Sequence, residues 1–511
     1  MNTKPEVKTE WLRISPLAVI FFALSAAKKA LTQGLPMLVV VFAWLASAEG
    51  YQRYWLIRGG ALLAVIGIAF AILGYLRFRY RISDDRILLR QGVVQREEMD
   101  IDFHRVQNIT IKEPFYMRPM GLSVLSIDTA GSGAKEISIA GIQRELALEL
   151  RDQILGATKP ETTASPEQQV NTGKPRLLLA LNRRDVLIYG LTANFMLWVA
   201  IAIGAIFSAG DLTERFFSWL ATRFAVEDIL VFLQNEGGTL LVGLAILGLV
   251  LLVLILLPLI SVLGALFRYD GYRLTVDGET YRKSSGLLTR FDDSIKQHKI
   301  QALVWKQNFI ARYFNRVSIQ LRQASAGSEA KQGPMPAKAN FLVPSLQPEL
   351  ADELSGEFFP GCQPARTVYS HVDRRRFMVF NMAVLLLPAT LITFIPSLLV
   401  SWKFLLVIPV FAGVLYMITR RRWQKAGYGV DGAYGFVRSG FLGTQITIFP
   451  LFKVQRIDVR QTPIQHRKGL AHLTIHLASH SVKVPYVTVE DANLFRDLAL
   501  YKAETSKLAW Y

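Results

Sequence analysis

Hydrophobic and polar positions follow two rhythms along this chain, and the switches between them divide it. One rhythm is the long apolar run. Such runs cover Gly34–Ala48, Gly59–Leu76, Val186–Phe207, Thr239–Phe267, Phe377–Val400 and Trp402–Thr419. The fourth holds no charged residue at all. A helix needs roughly 20 apolar residues to cross a bilayer, so the pattern predicts six spans paired as three hairpins. Pro16–Leu31, interrupted by Lys28 and Lys29, predicts an interfacial or partly inserted helix.

The other rhythm is strand-like alternation broken by turns. It fills residues 80–156, Tyr272–Phe359 and Tyr428–Ala503. The first of these stretches switches at its end to helical spacing, with Leu146, Leu150 and Ile154 on one face. The last ends likewise, with Leu494, Leu498 and Tyr501 aligned. Residues 157–174 are rich in Pro, Thr, Ser and Gln and read as a linker. The expected order is residues 1–78 (amphipathic helix and hairpin), 79–156 (β unit), 157–174 (linker), 175–269 (hairpin), 270–359 (β unit), 360–426 (hairpin) and 427–511 (β unit).

The three β-rich stretches register on one another at constant offsets of 194 and 348. Gly92 maps to Gly286 and Gly440, Gln107 to Gln301 and Gln455, Lys112 to Lys306 and Arg460, and Ala130 to Ala324 and Ala478. The glutamine raises a question. Strict alternation puts Gln107 on a face with Ile109 and Ile111, Gln301 with Leu303 and Trp305, and Gln455 with Ile457 and Val459. A buried amide must be satisfied or it costs about 1–3 kcal/mol. The glutamines therefore either brace a strand end or line a groove.

The segment "YRISDDRILLRQGVVQREEMDIDFHRVQNITIKEPFYMRPMGLSVLSIDTAGSG" resembles the bacterial pleckstrin-homology-like domain of YdbS/YdbT-type membrane proteins. The third copy, with "KVQRIDVRQTPIQHRKGLAHLTI", is similar. The second diverges: Asn315 stands where Gly121 would, and a longer loop is inserted. The resemblance implies an α+β membrane protein with three tandem PH-like β-sandwich or barrel domains. Each would have about seven strands and a C-terminal helix, and each would follow a transmembrane hairpin.

Charge adds topology. Lys plus Arg number 58 against 40 Asp plus Glu. The basic residues cluster at Arg77, Arg79, Arg81, at Arg183 and Arg184, at Arg374 to Arg376 and at Arg420 to Arg422, beside the apolar runs. That placement favours a membrane over nucleic acid and puts both termini and all three β units on the cytoplasmic face of a bacterial inner membrane. One cysteine, Cys362, excludes an intrachain disulfide.

Catalytic, metal and cofactor chemistry finds no support in the spacing. His472, His476 and His480 recur every four residues, but on a strand, where neighbours on one face lie about 13 Å apart. "DTAGSGAKE" lacks phosphate-loop spacing. A more suggestive recurrence is an apolar pair after each matched glycine: Val93-Val94, Leu287-Leu288 and Phe441-Leu442. Arg90, Arg282 with Lys283, and Arg438 sit beside these turns. Such turns are candidate contacts for an anionic lipid surface or a partner. The expected function is a non-catalytic scaffold for a protein partner, a lipid headgroup or further subunits of its own kind. A transporter or channel component is the alternative.

Overall fold

In the computed structural model, each β-rich stretch lays down two three-stranded sheets and closes them with a helix. The structure describes residues 11–16, 18–19, 21, 51–83, 85–92, 96–103, 106–129, 137–157, 175–193, 255–323, 341–399 and 407–506. Helix α1 (Tyr51–Arg77) leads into the first unit. Its strands are β1 (Arg79–Ile82), β2 (Arg86–Gln91), β3 (Glu97–Asp102), β4 (Val106–Glu113), β5 (Leu122–Thr129) and β6 (Ile137–Gln143), closed by α2 (Arg144–Ala157). β1–β2–β3 form one antiparallel sheet and β4–β5–β6 another. Ile87, Leu89, Ile101, Ile109, Leu125 and Ile139 fill the space between them. Ala147, Leu150 and Ile154 of α2 complete that core, because its apolar residues recur at helical spacing.

The second unit opens with β7 (Arg176–Ala180), α3 (Arg183–Ala193) and a helix described over 255–269, here α4. It continues with β8 (Arg273–Asp277), β9 (Thr280–Ser285), β10 (Arg290–Lys296), β11 (Ile300–Gln307), α5 (Phe309–Tyr313), β12 (Val317–Gln323), β13 (Phe341–Leu346) and α6 (Pro348–Phe358). The third has β14 (Ser370–His371), α7 (Arg374–Leu399), α8 (Val407–Lys425), β15 (Gly427–Asp431), β16 (Tyr434–Ser439), β17 (Thr444–Pro450), β18 (Val454–Arg460), α9 (Pro463–His466), β19 (Leu470–Leu477), β20 (Ser481–Thr488) and α10 (Val489–Thr505). Thr488 caps α10 by accepting from the Asp491 N–H at 3.1 Å, and Glu490 and Asp491 favour its positive N-terminus. The buried face of α10 is Ala492, Phe495 and Ala499, whereas Leu494 and Tyr501 are exposed. The expected face is rotated.

Short strands ahead of the helices were not expected. β7 pairs with β8, β14 pairs with β15, and Leu12 bridges to Tyr80 of β1. Each unit thus takes its first edge from residues that precede its helices.

The same offsets connect unusual backbone. Gly121, Asn315 and Gly469 all have positive φ, at 64°, 51° and 62°. Asparagine tolerates this region better than most residues, so the second copy keeps the turn without the glycine.

The expectation of six bilayer spans is overturned. Among the described residues no helix is long and apolar enough to cross a membrane. Gly34–Ala48 lies outside the described residues, as do 194–207 and 239–254. Part of the apolar length counted as spans belongs to the β cores. Val186 of α3 and Ala265 of α4 are buried in the core of the second unit, and Phe377 of α7 in that of the third. Periodicity alone does not separate a residue that faces lipid from one that faces a sheet. The helices also carry charge at their ends: α7 opens on Arg374 to Arg376, and α8 closes on Arg420, Arg421, Arg422 and Lys425.

Candidate functional site

The six small sheets do not remain separate. β4 of the first unit pairs antiparallel with β10 of the second, giving one seven-stranded sheet, β6-β5-β4-β10-β9-β8-β7. β11 of the second pairs with β17 of the third, giving a second, β13-β12-β11-β17-β16-β15-β14. The two seams share one register. Ile109 faces Ser294 and Glu113 faces Arg290 at the first; Leu303 faces Ile448 and Gln307 faces Thr444 at the second. Adding 194 to the first member of each pair and 154 (348 less 194) to the second converts one seam into the other.

Side chains tie the seams. At the first, Arg151 of α2 is only 5% exposed and donates to Asp292 of β10 at 3.3 Å and to its neighbour Asp152 at 3.1 Å. Arg282 of β9 returns to Asp152 at 3.3 Å. Burial pushes the Asp292 carboxyl up, against the pull of Arg151. Beside it, Lys283 and Asp293 form a buried pair at 2.6 Å, with Lys283 also over the Phe341 ring. At the second seam Phe436 and Ile448 of the third unit sit in the core of the second, and Ala302 of the second sits in the core of the third. Lys453 donates to the carbonyl of Ile300 at 2.7 Å across the seam. Burial and the nearby Lys299 push its ammonium down to about 8.

The repeated glutamines lie where the strands are irregular. Pairing with the next strand shifts between Val106 and Asn108, between Ile300 and Ala302, and between Val454 and Arg456. In each case one extra residue, Gln107, Gln301 or Gln455, is accommodated as a β-bulge. Strict alternation therefore fails at these positions. Gln301 is 1% exposed, Gln455 is exposed, and the Gln107 side chain lies outside the described residues.

The apolar turns sit at the ends of the seams. Val93 and Val94 lie outside the described residues. Leu287, Leu288 and Leu442 are exposed and Phe441 half-buried. The Leu287 N–H donates to the Phe267 carbonyl at 3.1 Å, and Lys425 donates to the Leu442 carbonyl at 2.8 Å, so the turns rest on the ends of α4 and α8. A Cβ on Gly443 would lie 2.5 Å from the Gln307 carbonyl oxygen, so this turn can approach β11 only as glycine. The cations beside the turns are engaged. Arg90 meets Glu98 at 2.9 Å and lies over Trp11, and Arg438 lies over Tyr369.

Phe441 and Leu442 line an open groove of ≈ 850 Å³ with Phe309, Ile310 and Tyr313 of α5 and with Met417 and Ile418 of α8. Arg312, Arg421 and Lys425 also line it. No periodicity marks α5, because its five residues sit in a connection between strands. The available signal was its aromatic density: Phe309, Tyr313 and Phe314 are all exposed.

Two histidines near the second seam are held neutral. Burial, with Lys299, Lys296 and Lys453 adding repulsion, pushes His298 down to about 4. Burial, with Arg322 and Lys306, does the same to His480. An unfolded histidine takes up its proton near 6.5. The unfolded chain therefore binds more protons between about pH 6.5 and 4, and stability falls as pH falls through that window. Thermal melts from pH 7.5 to 4.5 should show this loss, and a His298→Gln, His480→Gln variant should lose less over the same range.

Residues 21–158, 239–354 and 382–503 each match the family described as the bacterial PH domain. The chain is 20% identical over 471 residues to the UPF0699 transmembrane protein YdbT of Bacillus subtilis (strain 168), an alignment covering 88% of this chain and 89% of that protein. No solved structure matches. Each matched stretch takes in the two three-stranded halves of one unit and all or part of its closing helix. With three matches that together cover most of its length, this chain belongs to the bacterial PH domain family, in its YdbS/YdbT-type branch.

Proposed function

We propose that this protein is a non-catalytic, membrane-associated scaffold whose inter-unit seams hold anionic lipid at the cytoplasmic face of the inner membrane. The groove between α5, α8 and the Gly440–Thr444 turn carries the reading. Its floor is aromatic and aliphatic, and its lining includes three cations, Arg312, Arg421 and Lys425. That combination suits an acyl chain with a negatively charged headgroup. Membrane association is supported by the relative's name, which calls it a transmembrane protein. It is supported too by the apolar surfaces that the helices expose, including Ile68, Phe70, Leu391, Phe394, Val410 and Met417. At the first seam Phe115, the counterpart of Phe309 at the offset of 194, is exposed as well.

Native mass spectrometry of the detergent-solubilised full chain tests this. Titration should show preference for phosphatidylglycerol over phosphatidylcholine of the same acyl chains. Each cation near an anionic headgroup is worth about 1 kcal/mol, or roughly fivefold. An Arg312→Gln, Arg421→Gln variant should lose most of that preference. Equal binding of both lipids by the wild type, or an unchanged preference in the variant, rejects the proposal.

A further inference from the structure

The seams join the units head to tail, so a three-unit chain has one strand of each kind left over. β4 and β11 pair onward with β10 and β17; their counterpart in the third unit is β18. β10 and β17 receive; their counterpart in the first unit is β3. Among the described residues β18 pairs only with β19, and β3 only with β2. We infer that β18 of one copy pairs with β3 of another copy of this chain, in the register of the two internal seams.

That register is specified residue by residue. Lys112 faces Phe291 at the first seam and Lys306 faces Gln445 at the second. Their counterparts at the open edges are Arg460 and Glu97 (112 + 348 and 291 − 194). Likewise Ile111 faces Asp292 and Trp305 faces Ile446, which puts Val459 opposite Glu98.

Three observations support a second copy as the occupant. The first is charge. β3 reads Glu-Glu-Met-Asp-Ile-Asp, four acids in six residues, while β18 carries Arg456 and Arg460 around a single acid, Asp458, which both arginines meet, so the strand is net basic. An acidic edge rejects another β3 and accepts β18. The second is the closing helix. Arg151-Asp152, which reach across the first seam, recur in α10 as Arg496-Asp497, in the same frame as the buried Ala147 and Ala492. The Arg151 side chain is 5% exposed at its seam; that of Arg496 is 39% exposed at the open edge. The counterpart of its target Asp292 is Glu98. The third is burial. Ile109 and Leu303 are fully buried, whereas Ile457 at the same position of β18 is only partly covered. Leu500, one turn beyond Arg496, is about half exposed. The contact is heterologous, so it builds a ring or a filament rather than a twofold dimer. It stands independently of lipid binding.

Cysteine pairing tests it, in full-length protein with Cys362 replaced by Ala. Glu98→Cys chains and Val459→Cys chains, each alone, should not cross-link with a short bis-maleimide. The two mixed should give linked dimers, because opposed Cβ atoms lie about 5 Å apart. In light scattering in mild detergent, with the bound detergent subtracted, the wild type's protein mass should exceed the 57.4 kDa of one chain. Arg460→Glu should shift it toward that mass, and adding Glu97→Arg should restore the larger species. The inference is overturned if either single-cysteine protein cross-links as well as the mixture, or if the mixture does not cross-link. A wild type at one chain's mass at every concentration overturns it too.

Discussion

Phe436→Ala destabilises two units at once. The ring is fully buried, and although it belongs to β16 of the third unit it lies in the same buried cluster as Ile319, Leu321 and Phe341 of the second. Removing a buried phenylalanine costs about 3–5 kcal/mol, from lost apolar burial and the cavity left behind. Because that cluster is shared by Ile448 of β17, opposite Phe436, and by strands of the second unit, neither unit can collapse into the cavity alone. Hydrogen exchange resolved by strand should show lost protection in β12 of the second unit as well as in β16. Loss confined to the third unit would mean that the two cores are separate.

Asp293→Ala should be comparably costly, for an electrostatic reason. Lys283 and Asp293 side chains are 4% and 7% exposed, and they meet at 2.6 Å beside the seam where Asp293 faces Thr110 of the first unit. Taking away the carboxylate leaves a buried ammonium uncompensated, which costs about 3–5 kcal/mol. The double replacement Lys283→Met, Asp293→Leu removes both desolvation penalties together. It should return to within about 1 kcal/mol of the wild type, since apolar residues of similar volume replace buried pairs at little cost. Urea melts of the wild type, the single variant and the double variant close the comparison. A single variant as stable as the wild type would show the pair to be solvated.

The sequence carried what is local and repeated. Constant offsets registered Gly92, Gly286 and Gly440, and all three have positive φ, at 111°, 118° and 152°. The same offsets drew attention to the glutamines, though alternation misread them: a bulge inserts a residue, and nothing in a period-two pattern marks where. The seams were not legible. β4 and β10 are about 180 residues apart in the chain, and pairing at that distance leaves no trace in local periodicity. Arg151 on a helix reads as a solvated face until another unit covers it. The spans failed for a related reason. α3 and α4 are apolar, but part of that surface is spent on the core of the second unit. β7 was hidden because "RLLLA" adjoins a helix and reads as its beginning.

The three units form continuous sheets through fixed seams rather than independent beads. Hydrogen–deuterium exchange of the full chain tests it most directly, at the amides of β4, β10, β11 and β17. Fixed seams predict that these amides exchange as slowly as those of the interior strands β5, β9, β12 and β16. Exchange at the fast rate of uncovered edge strands, while the interior strands stay protected, would contradict it.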